Sequence, residues 1–280
     1  MPTFATATAV PVAVDLDAGS RLQIAAGERD DVVVTVIPAD TSTPADVRAA
    51  EETRATRESD TIVVSGRPSW KQYLPFSGGA VVVSIEVPAG SSVSGKAGSV
   101  YAEGRLGDVD LALSAGEARL DEVARLALKV ASGGVVVGRA TGTTTVRASS
   151  GSVRIGELAG EGTVRAGNGT TTVGVVTGAL EVHGAHGDIA VGTVRGSVTA
   201  QAAYGNVRVD RAESGSLTLT TSYGSIEVGV PEGTAAWLDV ASEHGSVRNQ
   251  LTPAAGPSGD EPTAEIHAST GYGDVIVRRP

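Results

Sequence analysis

Five ring side chains share one local setting. His186, Tyr204, Tyr223, His244 and Tyr272 each stand immediately before a glycine, and each glycine is followed by Asp, Asn or Ser. Imidazole and phenol both donate and accept hydrogen bonds, and imidazole also binds metals. Rings brought into one column would offer a platform for a planar or sugar ligand. The same rings could equally form a stack that covers a glycine corner. Two tyrosines separate His186 from His244 along this series, which places the two imidazoles too far apart to share a metal ion.

A second aromatic group is Trp70, Tyr73 and Phe76, three of the nine aromatic residues within seven positions. It reads either as a loop folded over a core edge or as an exposed surface for a partner. Catalysis finds little support. Glycoside hydrolysis needs two carboxylates about 5–9.5 Å apart. Only Glu103 with Asp121 fall on neighbouring repeats, and Glu117 shares a strand face with Asp121. These read as solvated surface acids. A Gly-x-Ser-x-Gly elbow, a P-loop, a His-Glu-x-x-His motif and calcium-binding nonapeptides are all absent from the sequence. Thr143–Thr145 and Thr170–Thr172 fall at different repeat positions and build no threonine array. We therefore assign no catalytic, cofactor or metal residue and expect no cofactor.

The elements that must position these residues follow from an internal repeat. Aligned on a glycine followed by x-Val/Ile-x-Val/Ile or a variant of it, the repeats start at Gly98, Gly116, Gly133, Gly151, Gly169, Gly187, Gly205, Gly224, Gly245 and Gly273. Their spacings are 18, 17, 18, 18, 18, 18, 19, 21 and 28. Within each repeat, apolar and small residues alternate with polar ones, the period of a strand. Glycines interrupt the alternation at fixed offsets and permit sharp corners. Short strands and corners at a constant length predict an all-β, single-chain parallel β-solenoid of about ten rungs of about 18 residues, in which stacking closes the core. In this frame the column before the anchoring glycine begins Ala97, Ala115, Ser132, Ser150 and Asn168, so small residues fill its first half and rings its second. A β-sandwich is the alternative fold, but it lacks a reason for a constant period.

Residues 1–97 do not share the period. Val12–Leu16, Leu22–Ile24, Val32–Ile37, Ile62–Val64 and Val81–Val87 read as strands. Thr43-Pro44-Ala45-Asp46 reads as a helix start, with Thr43 as N-cap and Pro44 at the first turn, which predicts a helix over about 44–57. This irregular β region would cap the solenoid, because an open end exposes strand edges. The solenoid would span 98–280, with an inserted loop at 252–262 and a final pair of strands after it.

Thirty-two acids against 22 bases give a net charge of −10. Nucleic acid and anionic membrane are poor partners for such a chain, although Arg147, Arg154, Arg165 and Arg208 could share one face. Cysteine is absent, so neither disulfides nor thiolate metal sites are expected. No stretch reaches the roughly 18 apolar residues of a membrane span, and the start has no signal-peptide pattern. The expected location is the bacterial cytoplasm.

Val87-Pro88-Ala89-Gly90, Val230-Pro231-Glu232-Gly233-Thr234-Ala235 and the Tyr-Gly-Asn/Ser/Asp-Val/Ile segments at 204–207, 223–226 and 272–275 carry a resemblance. The chain resembles the bacterial β-strand-repeat "putative adhesin" family, a domain family of unknown function related to the toast-rack domains of cell-envelope stress systems. The resemblance implies a non-enzymatic β-solenoid that binds or scaffolds, and it supplies no catalytic residues. More distantly, the rung length is similar to that of bactofilins, whose three-sided β-helices polymerise end to end.

The resulting expectation is a non-catalytic scaffold or binding module that presents a repetitive surface to a protein or glycan partner. It would be a monomer or a weak homo-oligomer. The candidate binding residues are Trp70, Tyr73, Phe76, His186, Tyr204, Tyr223, His244 and Tyr272. A filament-forming cytoskeletal scaffold is the alternative, and a carbohydrate-active enzyme the second alternative.

Overall fold

Valine, isoleucine and leucine at every second position, with glycine at the corners, leave the chain one way to bury its apolar side: strand upon strand. A computed structural model describes residues 2–6, 8–66, 79–252, 256, 259 and 261–280. The fold is a parallel β-solenoid with a single helix among the described residues. Residues 1–141 and 142–280 form two compact units. Trp70, Tyr73 and Phe76 lie outside the described residues, as does most of the expected loop at 252–262.

In the second unit each rung folds into a longer and a shorter strand. The longer strands stack in parallel in the order Thr144–Ser150, Glu161–Asn168, Ala179–His186, Ser197–Tyr204, Gly215–Tyr223, Thr263–Tyr272, Ala235–His244. The shorter strands stack beside them: Val153–Leu158, Thr171–Val176, Ile189–Val194, Val207–Ala212, Ile226–Gly229, Val275–Arg278, Val247–Asn249. Their inward residues meet in a narrow core. Val164, Val182, Val198 and Leu219 from one stack, with Ile155, Val173, Val191 and Val209 from the other, are fully buried. Such a thin core takes aliphatic side chains and leaves no room for large rings, which accounts for the scarcity of aromatics.

The order of the last two rungs corrects the sequence reading. The strands after the insertion are not the final pair. Thr263–Tyr272 pairs with Gly215–Tyr223 on one side and with Ala235–His244 on the other, so the last segment of chain sits between two earlier ones. The 28-residue interval contains enough chain to pass over one rung and return. Among the described residues Ala235–His244 and Val247–Asn249 thus end the two stacks. Their inward residues pay for it in exposure: Leu238 and Val240 are half-buried, where their register partners Ile266 and Ala268 are fully buried.

In the first unit two stacks also form. Arg21–Gly27 lies in parallel between Val81–Pro88 and Ser99–Ala115, and Pro11–Asp15 between Thr61–Ser65 and Ser92–Ala97. Both stacks then switch to antiparallel pairing. Asp31–Pro38 pairs antiparallel with Val81–Pro88 and Thr3–Ala5, and Arg54–Glu58 pairs antiparallel with Thr61–Ser65.

The helix is Pro44–Glu52, shorter than expected. Thr43 occupies the N-cap position, but its side chain makes no capping bond; it donates to Asp40 instead. No residue of the helix is buried, so packing does not extend it. Arg54–Glu58, expected as its last turns, is drawn into the hairpin with Thr61–Ser65. No described helix is long and apolar enough to cross a membrane.

The corner glycines are the tightest points of the second unit. Gly205 has φ +153°, and a Cβ placed there would lie 2.2 Å from the Gly187 carbonyl oxygen. Gly205→Ala should cost about 2 kcal/mol or more. Gly27→Ala, where an added Cβ meets nothing within 4 Å, should change stability by no more than about 0.5 kcal/mol. Urea melts of the two variants check the contrast; equal midpoints would overturn it.

Candidate functional site

A three-residue corner builds the site: a ring, a glycine and a short polar residue. The glycine turns the chain, with the carbonyl of the adjacent rung occupying the space a Cβ would need. This contact repeats from Gly169 through Gly187, Gly205 and Gly224 to Gly273. The polar residue then ties one rung to the next. Asp188 accepts the Asn206 backbone N–H at 2.8 Å, and Asn206 accepts that of Ser225 at 2.9 Å. The Ser225 hydroxyl accepts the Asp274 N–H at 3.2 Å, and Asp274 accepts the Ser246 N–H at 2.9 Å. The Ser246 backbone and hydroxyl, with Arg248 nearby, hold the Asp274 carboxyl below its ordinary range.

Fixed in this way, the rings before the glycines stack. Centroids lie 4.9 Å apart for His186–Tyr204, 5.0 Å for Tyr204–Tyr223, 4.9 Å for Tyr223–Tyr272 and 4.4 Å for Tyr272–His244. The first three pairs are within 10° of parallel. All five candidate rings of this unit therefore come together, in the order His186, Tyr204, Tyr223, Tyr272, His244. The rung exchange puts three tyrosines, not two, between the histidines. The tyrosines are 52%, 48% and 50% exposed. Their faces are turned to one another, so a ligand meets ring edges and a row of hydroxyls.

The sequence reading missed a second cluster because it depends on the exchanged order. His267 stands beside Asp239, 28 residues away, across the Thr263–Tyr272 and Ala235–His244 pair. Its Nδ1 is 3.3 Å from Asp239 and its Nε2 3.1 Å from Glu265. Trp237, 56% exposed, leans on the imidazole at 5.0 Å and borders a cavity of about 1030 Å³ with Ser216, Thr234, Glu265 and Arg279. The two carboxylates engage different edges of one imidazole and do not converge on a point. Among the described residues no group of His and carboxylates could hold a metal ion.

Two of the three acids considered for catalysis, Asp121 and Glu117, hold other groups of the protein. Asp121 falls at a register shift between Leu120 and Glu122, and its carboxylate accepts the Gly104 N–H at 3.2 Å. Glu117 lies 3.6 Å from Arg119 and accepts the Tyr101 hydroxyl at 3.5 Å. The four arginines expected on one face divide between two stacks. Arg147 and Arg165 share a column on the longer strands. Arg154 and Arg208 lie in a column of the shorter strands, separated by Thr172 and Ala190.

Stacked parallel rungs with a ladder of rings at their corners define a β-solenoid repeat protein. Residues 13–278 match the toastrack family DUF4097, and the chain belongs to that family. It is also similar to solved structures. One is a "putative adhesin" from Bacteroides fragilis, 11% identical over 99% of this chain and 95% of that chain, with a TM-score of 0.32. Another is a "putative adhesin" from Parabacteroides distasonis, 12% identical over 99% and 95%, with a TM-score of 0.30. A third is a "putative cell adhesion protein" from Clostridium sporogenes, 9% identical over 100% and 98%, with a TM-score of 0.21. No curated protein matches the chain.

The bonds to Glu265 and Asp239 raise the His267 pKa above its ordinary 6.5. The folded protein thus favours the imidazolium. This contribution to stability is complete below the ordinary value and is lost as pH rises through the raised one. Glu265→Gln removes the larger cause and should bring the His267 titration midpoint down. An NMR titration of the ring carbon protons in both proteins measures it; an unchanged midpoint would show that Glu265 does not hold the ring.

Proposed function

We propose that this chain is a non-catalytic binding module whose ring ladder meets a protein or glycan partner. One observation carries the reading. Ser150 and Asn168 occupy the same column in register with the rings, before glycines of the same conformation, φ +129° at Gly151 and +136° at Gly169. The corner therefore forms without a ring. Five consecutive rings, with the three tyrosines half in solvent, exceed what the corner requires. Membership of the toastrack family and the structural employment of Asp121, Asp188, Asp239, Glu265 and Asp274 fit a module that binds without reacting.

A second reading, end-to-end assembly, is favoured by the last rung of the second unit. Ala235–His244 has one strand partner among the described residues, and Val247, whose register partner Val275 is fully buried, is 44% exposed. Such an edge is a template for another chain.

Tyr204→Ala/Tyr223→Ala separates a binding ladder from a structural one. Each lost ring pair is worth about 0.5–1.5 kcal/mol, so the double variant should keep its circular dichroism spectrum and melt a few degrees lower. Binding to immobilised glycan and protein libraries should fall for the partner that the unaltered chain retains. Unchanged binding, or release of new reducing ends from a retained glycan, would overturn the proposal. For the second reading, light-scattering mass should rise with concentration and the rise should vanish in Val247→Asp; a constant mass of one chain would sink it.

A further inference from the structure

A second column on the longer strands of this unit holds two arginines with no structural task among the described residues. Arg147, Arg165 and His183 stand in register on three successive rungs. Both arginines are exposed, and neither has an ion pair or hydrogen bond among the described residues. Elsewhere in the unit Arg195, Arg208, Arg211, Arg248 and Arg278 are tied to carboxylates and Arg279 to backbone carbonyls; Arg154, on the shorter strands, is the other exposed arginine without such a bond among the described residues. Two adjacent uncompensated guanidiniums on a chain of net charge −10 are a local reversal of sign. His183 is itself held by Glu181 at 2.6 Å, and Glu161 begins its strand four residues, about 13 Å, from Arg165.

Two residues along each strand from this column runs a floor of small residues, Ser149, Gly167, Ala185 and Ala203. Arginines, histidine and floor together line a shallow groove of about 770 Å³. One residue further along lies the column of Asn168, His186 and Tyr204, the start of the ring ladder. The groove therefore crosses the strands, with a cationic column on one side and the ladder's column on the other.

We propose that this groove binds an extended polyuronic acid, a glycan with one carboxylate per sugar, with a carboxylate held between Arg147 and Arg165 and the sugar chain over the small-residue floor. The inference rests on the binding reading above and names its ligand class. Guanidinium forks pair with carboxylates in bidentate, charge-assisted geometry. Rung spacing sets how the chain is held: Arg147 and Arg165 stand on rungs about 4.8 Å apart, close enough to clasp one carboxylate between them. Successive sugars of a linear pyranose chain are rotated against one another, so the next carboxylate on that side lies beyond the pair. Serine, glycine and alanine beneath let the sugar rings approach the sheet, and the tyrosine hydroxyls beyond can bond to theirs.

The test is calorimetric binding of hexagalacturonate, its methyl ester and poly-L-glutamate to the full chain. Hexagalacturonate should bind, more weakly at high salt. Arg147→Gln/Arg165→Gln should lose about tenfold or more in affinity with an unchanged melting curve, and Arg147→Lys/Arg165→Lys should lose less. The methyl ester should not bind. Absence of hexagalacturonate binding, equal affinity in the glutamine variant, or tighter binding of poly-L-glutamate would overturn the inference. If the ester binds as well as the acid and needs Tyr204 and Tyr223, the anionic class is wrong while the ladder reading stands. If the acid binds through the arginines and Tyr204→Ala/Tyr223→Ala has no effect, the groove stands and the ladder reading falls.

Discussion

The carbonyl of one corner glycine occupies the volume where the next glycine would carry a Cβ, and the second unit is organised around that contact. It sets how closely two rungs approach at their corners and admits only glycine there. Neighbouring positions inherit the same spacing. The residue before the glycine meets its counterpart at stacking distance, so a ring there must stack or be displaced. The residue after it can reach the backbone of the next rung, which is why Asp, Asn and Ser recur. Hydroxyls on the inner side use the same carbonyls: Thr221 donates to Gly205, Thr270 to Gly224 and Ser242 to Gly273. The buried hydroxyls of Thr221 and Thr270 are thereby satisfied in a core with little room for water, whereas that of Thr171 has no partner among the described residues.

The same contact explains how the last rungs tolerate an exchanged order. A corner recognises its neighbour by backbone and small polar groups, and Gly273 meets Gly224 in the way Gly224 meets Gly205. Nothing in such an interface depends on chain order. What selects the order is core quality. Thr263–Tyr272 brings Ala264, Ile266, Ala268 and Thr270 inward, all buried between two neighbours. Ala235–His244 brings Ala236, Leu238, Val240 and Ser242, which remain partly exposed at the end. The outer surface of that end strand carries Asp239 and Glu243, charges of the kind that discourage unregulated edge pairing.

The fold was legible because glycine spacing and strand alternation report backbone geometry directly. The ring column was legible for the same reason, since Tyr204 and Tyr223 stand one residue from their anchors. Features that depend on which rungs are neighbours were not. Placing His267 beside Asp239 and Trp237 requires the exchange, and a period cannot reveal it; the only signal was the length of the interval before Gly273. The arginines show the matching error within a rung. Arg147 and Arg154 are seven residues apart, but the corner at Gly151 puts them on different stacks. The helix was overextended because its sequence has start signals and no stop, and its end is set by pairing of Arg54–Glu58 rather than by local preference.

A repeat protein can vary one column without disturbing the rest, and this chain does so twice on the same strands. The corner column changes from Ser150 and Asn168 to rings, and the arginine column changes from Arg147 and Arg165 through His183 to Gln201 and Thr220. The core beneath them stays mostly aliphatic, with Ala148, Ala166 and Ala202 followed in one inward column by Thr221 and Thr270. The fold of the rungs therefore does not require either change, because rungs on each side of it keep the same register and the same corner. The charged stretch and the ring stretch overlap at the rung of His183 and His186, where the small-residue floor between them is Ala185. A ligand long enough to use both must cross the strands along that floor, in the direction in which the solenoid repeats.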